Sequence, residues 1–95
     1  MEKDTINKAA EGGKIIELFL REGGNQNSLK RNLKKLLIGK SKDFDVIISS
    51  WREKADIVYQ VYGVPEAKRN PTFHFDMNVR YNLVSNMLSD IRNFK

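Results

Sequence analysis

The chain has 95 residues, a net charge of +5 and no cysteine. The missing cysteine excludes disulfides, thiolate metal sites and cysteine nucleophiles, and no apolar run approaches the roughly 18 residues that a membrane-spanning helix needs. A content of 40% apolar and 31% charged residues is typical of a folded globular domain. We therefore expect a single cytoplasmic domain over residues 1–95, held together by packing alone and without a membrane partner.

The first predicted helix is amphipathic but contains a glycine pair. Asp4 or Thr5 offers a side-chain oxygen that can cap its start. Gly12-Gly13 are expected to interrupt it, because each glycine costs about 1 kcal/mol relative to alanine in a helix interior. Gly23-Gly24 are expected to end it. The sequence therefore predicts either one kinked helix or two short ones.

The second predicted helix separates a leucine face from a basic face. Asn25 to Ser28 are expected to form a loop that ends in a helix cap. The leucines that follow fall within about a 100° arc, and the cations lie on the opposite side. The leucines are Leu29, Leu33, Leu36 and Leu37, and the cations are Lys30, Arg31, Lys34 and Lys35. Gly39 is well placed to end this helix in the left-handed conformation.

The third predicted helix is apolar on two sides. Ser41 or Asp43 can cap it, and its main apolar face runs from Phe44 to Tyr62. A second stripe lies nearly opposite and consists of Val46, Ile57 and Val61. Such a helix belongs at the centre of a bundle, or has one side in the core and the other at an interface. Either the first helix wraps both sides, or a second copy of the chain covers the stripe as a homodimer.

The third helix is expected to stop at Gly63-Val64-Pro65, followed by a polar loop from Glu66 to Thr72. Asp76 can cap the last helix, whose apolar side chains cover an arc of about 160°. These side chains are Met77, Tyr81, Leu83, Val84, Met87, Leu88, Ile91 and Phe94. The expected fold class is all-α, a small bundle of about four helical segments around the central third helix.

Positive charge is concentrated in one short segment. Between Gly23 and Lys42 the chain carries six cations and no Asp or Glu, so the net charge of the remaining residues is −1. The six cations are Lys30, Arg31, Lys34, Lys35, Lys40 and Lys42. Clustered cations neutralise phosphates and release condensed counterions, and the amide of Asn27 can read a base edge. Lys68 and Arg69 are candidates for a second phosphate contact. The alternative is an ordinary solvated face, although such a face usually mixes signs to gain i, i+4 pairs.

These features predict a non-enzymatic accessory or regulatory protein that binds DNA or RNA, mostly through phosphates. The alternative is a protein-interaction module, an inhibitor or assembly factor, which docks its basic helix on an acidic partner surface. A helix-turn-helix is a sharper form of the first hypothesis, but the third segment is too apolar for an exposed recognition helix.

Neither an enzyme, a cofactor nor a metal is predicted. His74 is the only histidine, and with Asp76 two positions on it supplies too few ligands for a four-coordinate zinc site. No Ser or Cys nucleophile motif accompanies it. The glycine pairs match neither a Walker loop nor a dinucleotide fingerprint.

Overall fold

The computed structural model describes residues 2–93, which form four helical rods and no strand. The helices are α1 (Lys3–Glu22), α2 (Gln26–Leu36), α3 (Phe44–Val58), α4 (Val64–Arg69) and α5 (Pro71–Arg92). A 3₁₀ turn (Ser41–Asp43) leads into α3, and a π-helical turn (Tyr59–Gly63) joins α3 to α4, so that these segments make one rod. The predicted all-α bundle is confirmed for these residues, whereas Phe94, assigned above to the last apolar arc, lies outside them.

The helices alternate in direction. Thr5 of α1 bonds Asp43 before α3, and Arg21 at the other end of α1 stacks on Tyr62, so α1 and α3 run parallel. Phe73, near the start of α5, packs on the same Tyr62, so α5 runs back along α3. The short helix α2 returns the chain between α1 and α3 and packs against α1 and α5. No helix within residues 2–93 has both the length and the apolar character needed to cross a bilayer.

The core is continuous and apolar, with Trp51 of α3 as its largest fully buried side chain. The indole Nε1 donates a hydrogen bond to the carbonyl oxygen of Ala9 at 3.1 Å, which satisfies its polar group. The leucine face of α2 is buried as predicted: Leu29, Leu33, Leu36 and Leu37 are all part of the core. The side of α2 that carries the cations therefore faces outward.

The predicted interruption at Gly12-Gly13 is absent, because α1 runs through both glycines as one helix. A Cβ at Gly12 would overlap the indole ring of Trp51, whereas a Cβ at Gly13 would lie 3.4 Å from Cγ of Lys54, an ordinary contact. Gly12 thus lets the backbone of α1 approach the Trp51 ring. The tight helix contact compensates for the low helix propensity of glycine.

The predicted stop at Gly63-Val64-Pro65 is also wrong, since the chain stays helical to Arg69. Gly63 has φ −64° and ψ −47°, and the amide of Val64 bonds the carbonyl of Tyr59 in the wider π-helical pattern. Pro65 falls in the first turn of α4, directly after the π-helical turn, and does not end the rod. A Cβ at Gly63 would come within 2.9 Å of Met77, so this glycine also permits close packing, here against α5.

Two helices begin at asparagine caps, Asn25 and Asn70, rather than at the predicted caps Ser28 and Asp76. Asn25 accepts a hydrogen bond from the amide of Ser28 at 2.9 Å, so α2 begins before the predicted cap at Ser28. Asn70 accepts from the amides of Thr72 and Phe73 at 3.1 and 3.3 Å, and Pro71 follows it as the first helical residue. Asp76 therefore lies inside α5 rather than at its start.

The predicted caps at Thr5 and Asp43 instead bind each other. The Thr5 side chain is fully buried, and its Oγ1 donates to Oδ2 of Asp43 at 2.6 Å. Neither the start of α1 nor that of α3 has a side-chain cap. This hydrogen bond joins the first turn of α1 to the turn before α3.

The second apolar stripe of the third helix lies on the surface. Val46, Ile57 and Val61 are 45, 49 and 71% exposed, although α1 packs along α3. Helix α1 therefore covers one side of this rod and leaves the stripe open to solvent.

Candidate nucleic-acid interface

The candidate interface is the outward side of α2. Its three buried leucines fix the rotation of the helix, and the Asn25 cap fixes where it starts. One shallow, open concavity of about 410 Å³ is lined by Asn27, Lys30, Arg31, Lys34, Lys35 and Ile38. We refer to Asn27 and these four cations as the α2 basic face. Five of the predicted site residues thus lie together on one rigid helix.

The charges of the α2 basic face are largely uncompensated. Within residues 2–93, none of Lys30, Arg31 and Lys35 forms an ion pair. Arg31 makes one long hydrogen bond, from Nη2 to Oγ of Ser28 at 3.4 Å. Lys30 and Lys34 stand at i, i+4, as do Arg31 and Lys35, and like charges at this spacing repel. The face therefore concentrates positive potential, which attracts anions.

Lys40, another predicted site residue, is held within the molecule. Its Nζ lies 3.1 Å from Oε1 of Glu2 and also pairs with the carboxylate of Asp4, and its side chain is only 13% exposed. The hydrogen bond from Lys40 lowers the pKa of Asp4, and the bonds to Asp4 and Glu2 raise the pKa of Lys40. Lys40 thus ties the turn after α2 to the start of α1, whereas Lys42 is exposed in the 3₁₀ turn.

Lys68 and Arg69 do not join the α2 basic face. Both are exposed at the end of α4, where Nη1 of Arg69 lies 3.0 Å from Oε1 of Glu66. They lie just before the first residue of α5, whereas α2 packs beside the second half of α5. There Lys30 of α2 and Asn86 of α5 line the same cleft. Asn86 lies 16 positions after Asn70, a separation of about 24 Å along a helix. Any phosphate that this pair binds is therefore a separate contact.

Two neighbours of the face were missed from the sequence. Ile38 is 76% exposed on the turn that follows α2, and Asp90 of α5 lines a cleft with Lys30 on another side. Ile38 had a usable signal, because at 100° per residue it lies about 140° from Leu33, outside the leucine arc. Asp90 had none, since only the packing of α2 on α5 brings it near.

The remaining polar groups connect helices. Tyr59 donates to Oδ1 of Asn78 at 2.5 Å, and the exposed His74 has its Nε2 3.1 Å from Nδ2 of Asn78. Tyr81 donates a hydrogen bond to Asp56, and this bond, together with burial, raises the pKa of Tyr81. In the part of the chain that the structure describes, no three His, Cys, Asp or Glu side chains form a metal-binding group. The Tyr59–Asn78 and Tyr81–Asp56 hydrogen bonds join α5 to the α3 rod, whereas the His74–Asn78 contact lies within α5.

No protein-family model, curated protein or solved structure matches the chain, so the α2 basic face is the basis for proposing a function. The concavity on this face is lined by ammonium and guanidinium groups, one amide and one apolar side chain. These are the groups with which proteins bind phosphates and polar base edges.

Proposed function

We propose that the protein is a non-enzymatic accessory or regulatory protein that binds nucleic acid through the α2 basic face. The observation that carries the proposal is an open concavity lined by four cations and Asn27, with Lys30, Arg31 and Lys35 in no ion pair within residues 2–93. Contacts to phosphates dominate, so sequence preference is modest.

The distribution of ion pairs elsewhere supports this proposal. Glu17 pairs with Lys54 at 3.2 Å, and Asp45 with Arg92 at 3.5 Å, each across two helices. The chain thus uses acidic side chains to pair cations between helices but places none within α2. A helix that only needed solvation would gain stability from mixed charges at i, i+4. The unmixed charge is instead suited to an external anion.

The geometry sets the expected salt dependence. The 11 residues of α2 span about 16 Å, which matches about five phosphates of one strand at 3.4 Å each. If Lys30, Arg31 and Lys35 each neutralise one phosphate, the slope of log K against log salt is about −2.7 on duplex DNA and about −2.1 on a single strand.

The test is binding of fluorescent duplex DNA, single-stranded DNA and an RNA hairpin over a salt series. Two triple variants with the same change in charge are compared: Lys30, Arg31 and Lys35 to Glu on α2, and Lys3, Lys8 and Lys14 to Glu on α1. We expect micromolar or tighter binding by the wild type at low salt, at least tenfold weaker binding by the α2 variant, and a much smaller loss in the α1 variant. Circular dichroism verifies that both variants fold. Absence of binding at low salt, or equal loss in both variants, contradicts the proposal.

A second candidate function is a protein-interaction module, an inhibitor or assembly factor that docks the α2 basic face on an acidic protein surface. The exposed stripe of Val46, Ile57 and Val61 favours a protein partner, because apolar surface of this kind marks protein interfaces. The same stripe is where two copies would meet in a homodimer.

Two measurements test this candidate. Adding polyglutamate to the binding series tests whether the α2 basic face binds acidic polymers in general. A complex held by an apolar protein interface should lose less affinity with added salt than a complex held by phosphates. Sedimentation equilibrium of the wild type and Val61→Asn tests the homodimer. A wild type that stays monomeric at high concentration contradicts it.

A further inference from the structure

An apolar depression lies directly beside the α2 basic face. It has a volume of about 200 Å³ and is lined by Lys34, Leu37, Ile38, Phe44 and Ile91. Lys34 and Ile38 line both this depression and the basic concavity, so the two form one continuous surface. We call it the Ile38 depression.

The backbone holds Ile38 in its exposed position. Helix α2 ends at Leu36, and the chain turns back through Gly39, whose φ of +76° lies in the left-handed region. In this turn Leu37 is buried and Ile38 points outward, with 8 and 76% exposure. The amide of Lys40 bonds the carbonyl of Leu37 at 3.0 Å, and the side chain of Lys40 is paired with the start of α1. A hydrogen-bonded turn thus holds the Ile38 side chain in its exposed position beside the cations.

A surface with cations next to an apolar depression matches the two parts of a nucleotide, an anionic phosphate and a base with apolar faces. In a duplex the bases are stacked and present only their edges, whereas an unpaired base can leave the stack and lie against a side chain. Pockets for drug-sized ligands measure about 300–1,000 Å³, so about 200 Å³ suits a single base. Ile38, the most exposed apolar side chain of the depression, supplies the apolar contact.

We propose that the nucleic acid bound at this site is single-stranded, with phosphates on Lys30, Arg31 and Lys35 and one unpaired base in the Ile38 depression. This inference rests on the proposed nucleic-acid function and adds the class of nucleic acid. A duplex lying on α2 gives its phosphates to the same cations but offers no base face to Ile38. Ile38 is therefore the residue that distinguishes the two ligands.

The experiment compares a 12-nucleotide single strand with a 12-base-pair duplex, using the wild type, Ile38→Asn and the matched control Val79→Asn. Val79 is also a β-branched residue, 44% exposed, and lies in the first half of α5, away from α2. We expect the wild type to bind the single strand about tenfold more tightly than the duplex, and Ile38→Asn to weaken only single-strand binding, by about fivefold with an unchanged salt slope. Val79→Asn changes neither affinity.

A second variant and a spectroscopic signal keep the test independent of folding. Ile38→Leu retains an apolar side chain at the same exposed position, and we expect it to bind the single strand within about twofold of the wild type. A 2-aminopurine in the strand reports the environment of an unstacked base, and its fluorescence should change on binding to the wild type but much less with Ile38→Asn.

Each contrary result has a distinct meaning. Equal affinity for duplex and single strand, with Ile38→Asn acting on both or on neither, overturns the single-strand inference and leaves the nucleic-acid function standing. If Ile38→Asn weakens polyglutamate binding by the same factor, the depression is a general apolar contact and the inference also fails. If neither nucleic acid binds at low salt, both proposals fall together.

Discussion

The contact between α1 and α3 differs from the outward side of α2 in its packing and in the pairing of its charges. Where α1 meets α3, Gly12 lies against Trp51, and Glu17 pairs with Lys54 at 3.2 Å. On the α2 basic face, like charges repel along the helix, and three of the cations have no ion pair within residues 2–93. Stability and the proposed binding are therefore located on different surfaces. Substitutions at the first should change unfolding, and substitutions at the second should change binding.

The largest effect on stability is expected at Gly12. Gly12→Ala places a methyl group on the fully buried indole of Trp51, and we expect a loss of about 2 kcal/mol after the helix-propensity gain of alanine is included. Gly13→Ala is the matched control, because its methyl group makes only an ordinary contact with Lys54 and should stabilise by up to about 1 kcal/mol. Urea unfolding followed by Trp51 fluorescence measures both. Two alanines with the same sign of effect would contradict the close packing at Gly12.

The next effect concerns the buried hydroxyl of Thr5. Thr5→Val keeps the shape of the side chain and removes the hydrogen bond to Asp43, so we expect a loss of about 1–2 kcal/mol. Thr5→Ser retains the hydroxyl and should lose less. The urea midpoints of the two variants give the comparison, and a neutral Thr5→Val would mean that this bond does not stabilise the α1–α3 contact.

A smaller, pH-dependent effect is expected at Asp4 and Lys40. The folded-state pKa of Asp4 lies below its ordinary value of 3.8, so the ion pair stabilises the fold above that value and its contribution is lost as pH falls through the lowered pKa. The pKa of Lys40 is raised above 10.5, so the contribution is also lost as pH rises through that raised pKa. Unfolding of wild type and Asp4→Asn should differ most near neutral pH and converge once the pH has fallen through the lowered pKa of Asp4. A difference that persists at low pH contradicts this assignment.

Short-range pattern was sufficient for part of the fold. The leucine face of α2 and the left-handed Gly39 both follow from residues within a few positions of each other, and both predictions are confirmed. The errors at Gly12 and Pro65 have long-range causes. The Trp51 ring, which leaves no room for a side chain at Gly12, is 39 positions away in the sequence. The π-helical turn that accommodates Pro65 has no local sequence signature.

The same limit applies to the candidate site. Lys30, Arg31, Lys34 and Lys35 could be placed together because one helix carries them. The ion pairs of Lys40 could not be predicted, because its acidic partners Glu2 and Asp4 are more than 35 positions away and only the fold brings them near. Sequence spacing alone therefore overestimated how many cations the face contains.

The smallest expected effect on stability has the opposite sign to the others. Arg31→Glu replaces repulsion with attraction at Lys35 in the favourable orientation, so we expect α2 to become more stable by about 0.5 kcal/mol. Arg31→Gln removes the repulsion alone and should give about half of that gain. Both variants should bind the single strand more weakly, with a salt slope lower by about one phosphate for Arg31→Gln. A gain in stability that accompanies a loss of binding is expected of a surface arranged for a ligand. A loss of stability in Arg31→Glu would mean that the positive charge at this position supports the fold, and the division between the two surfaces would not hold there.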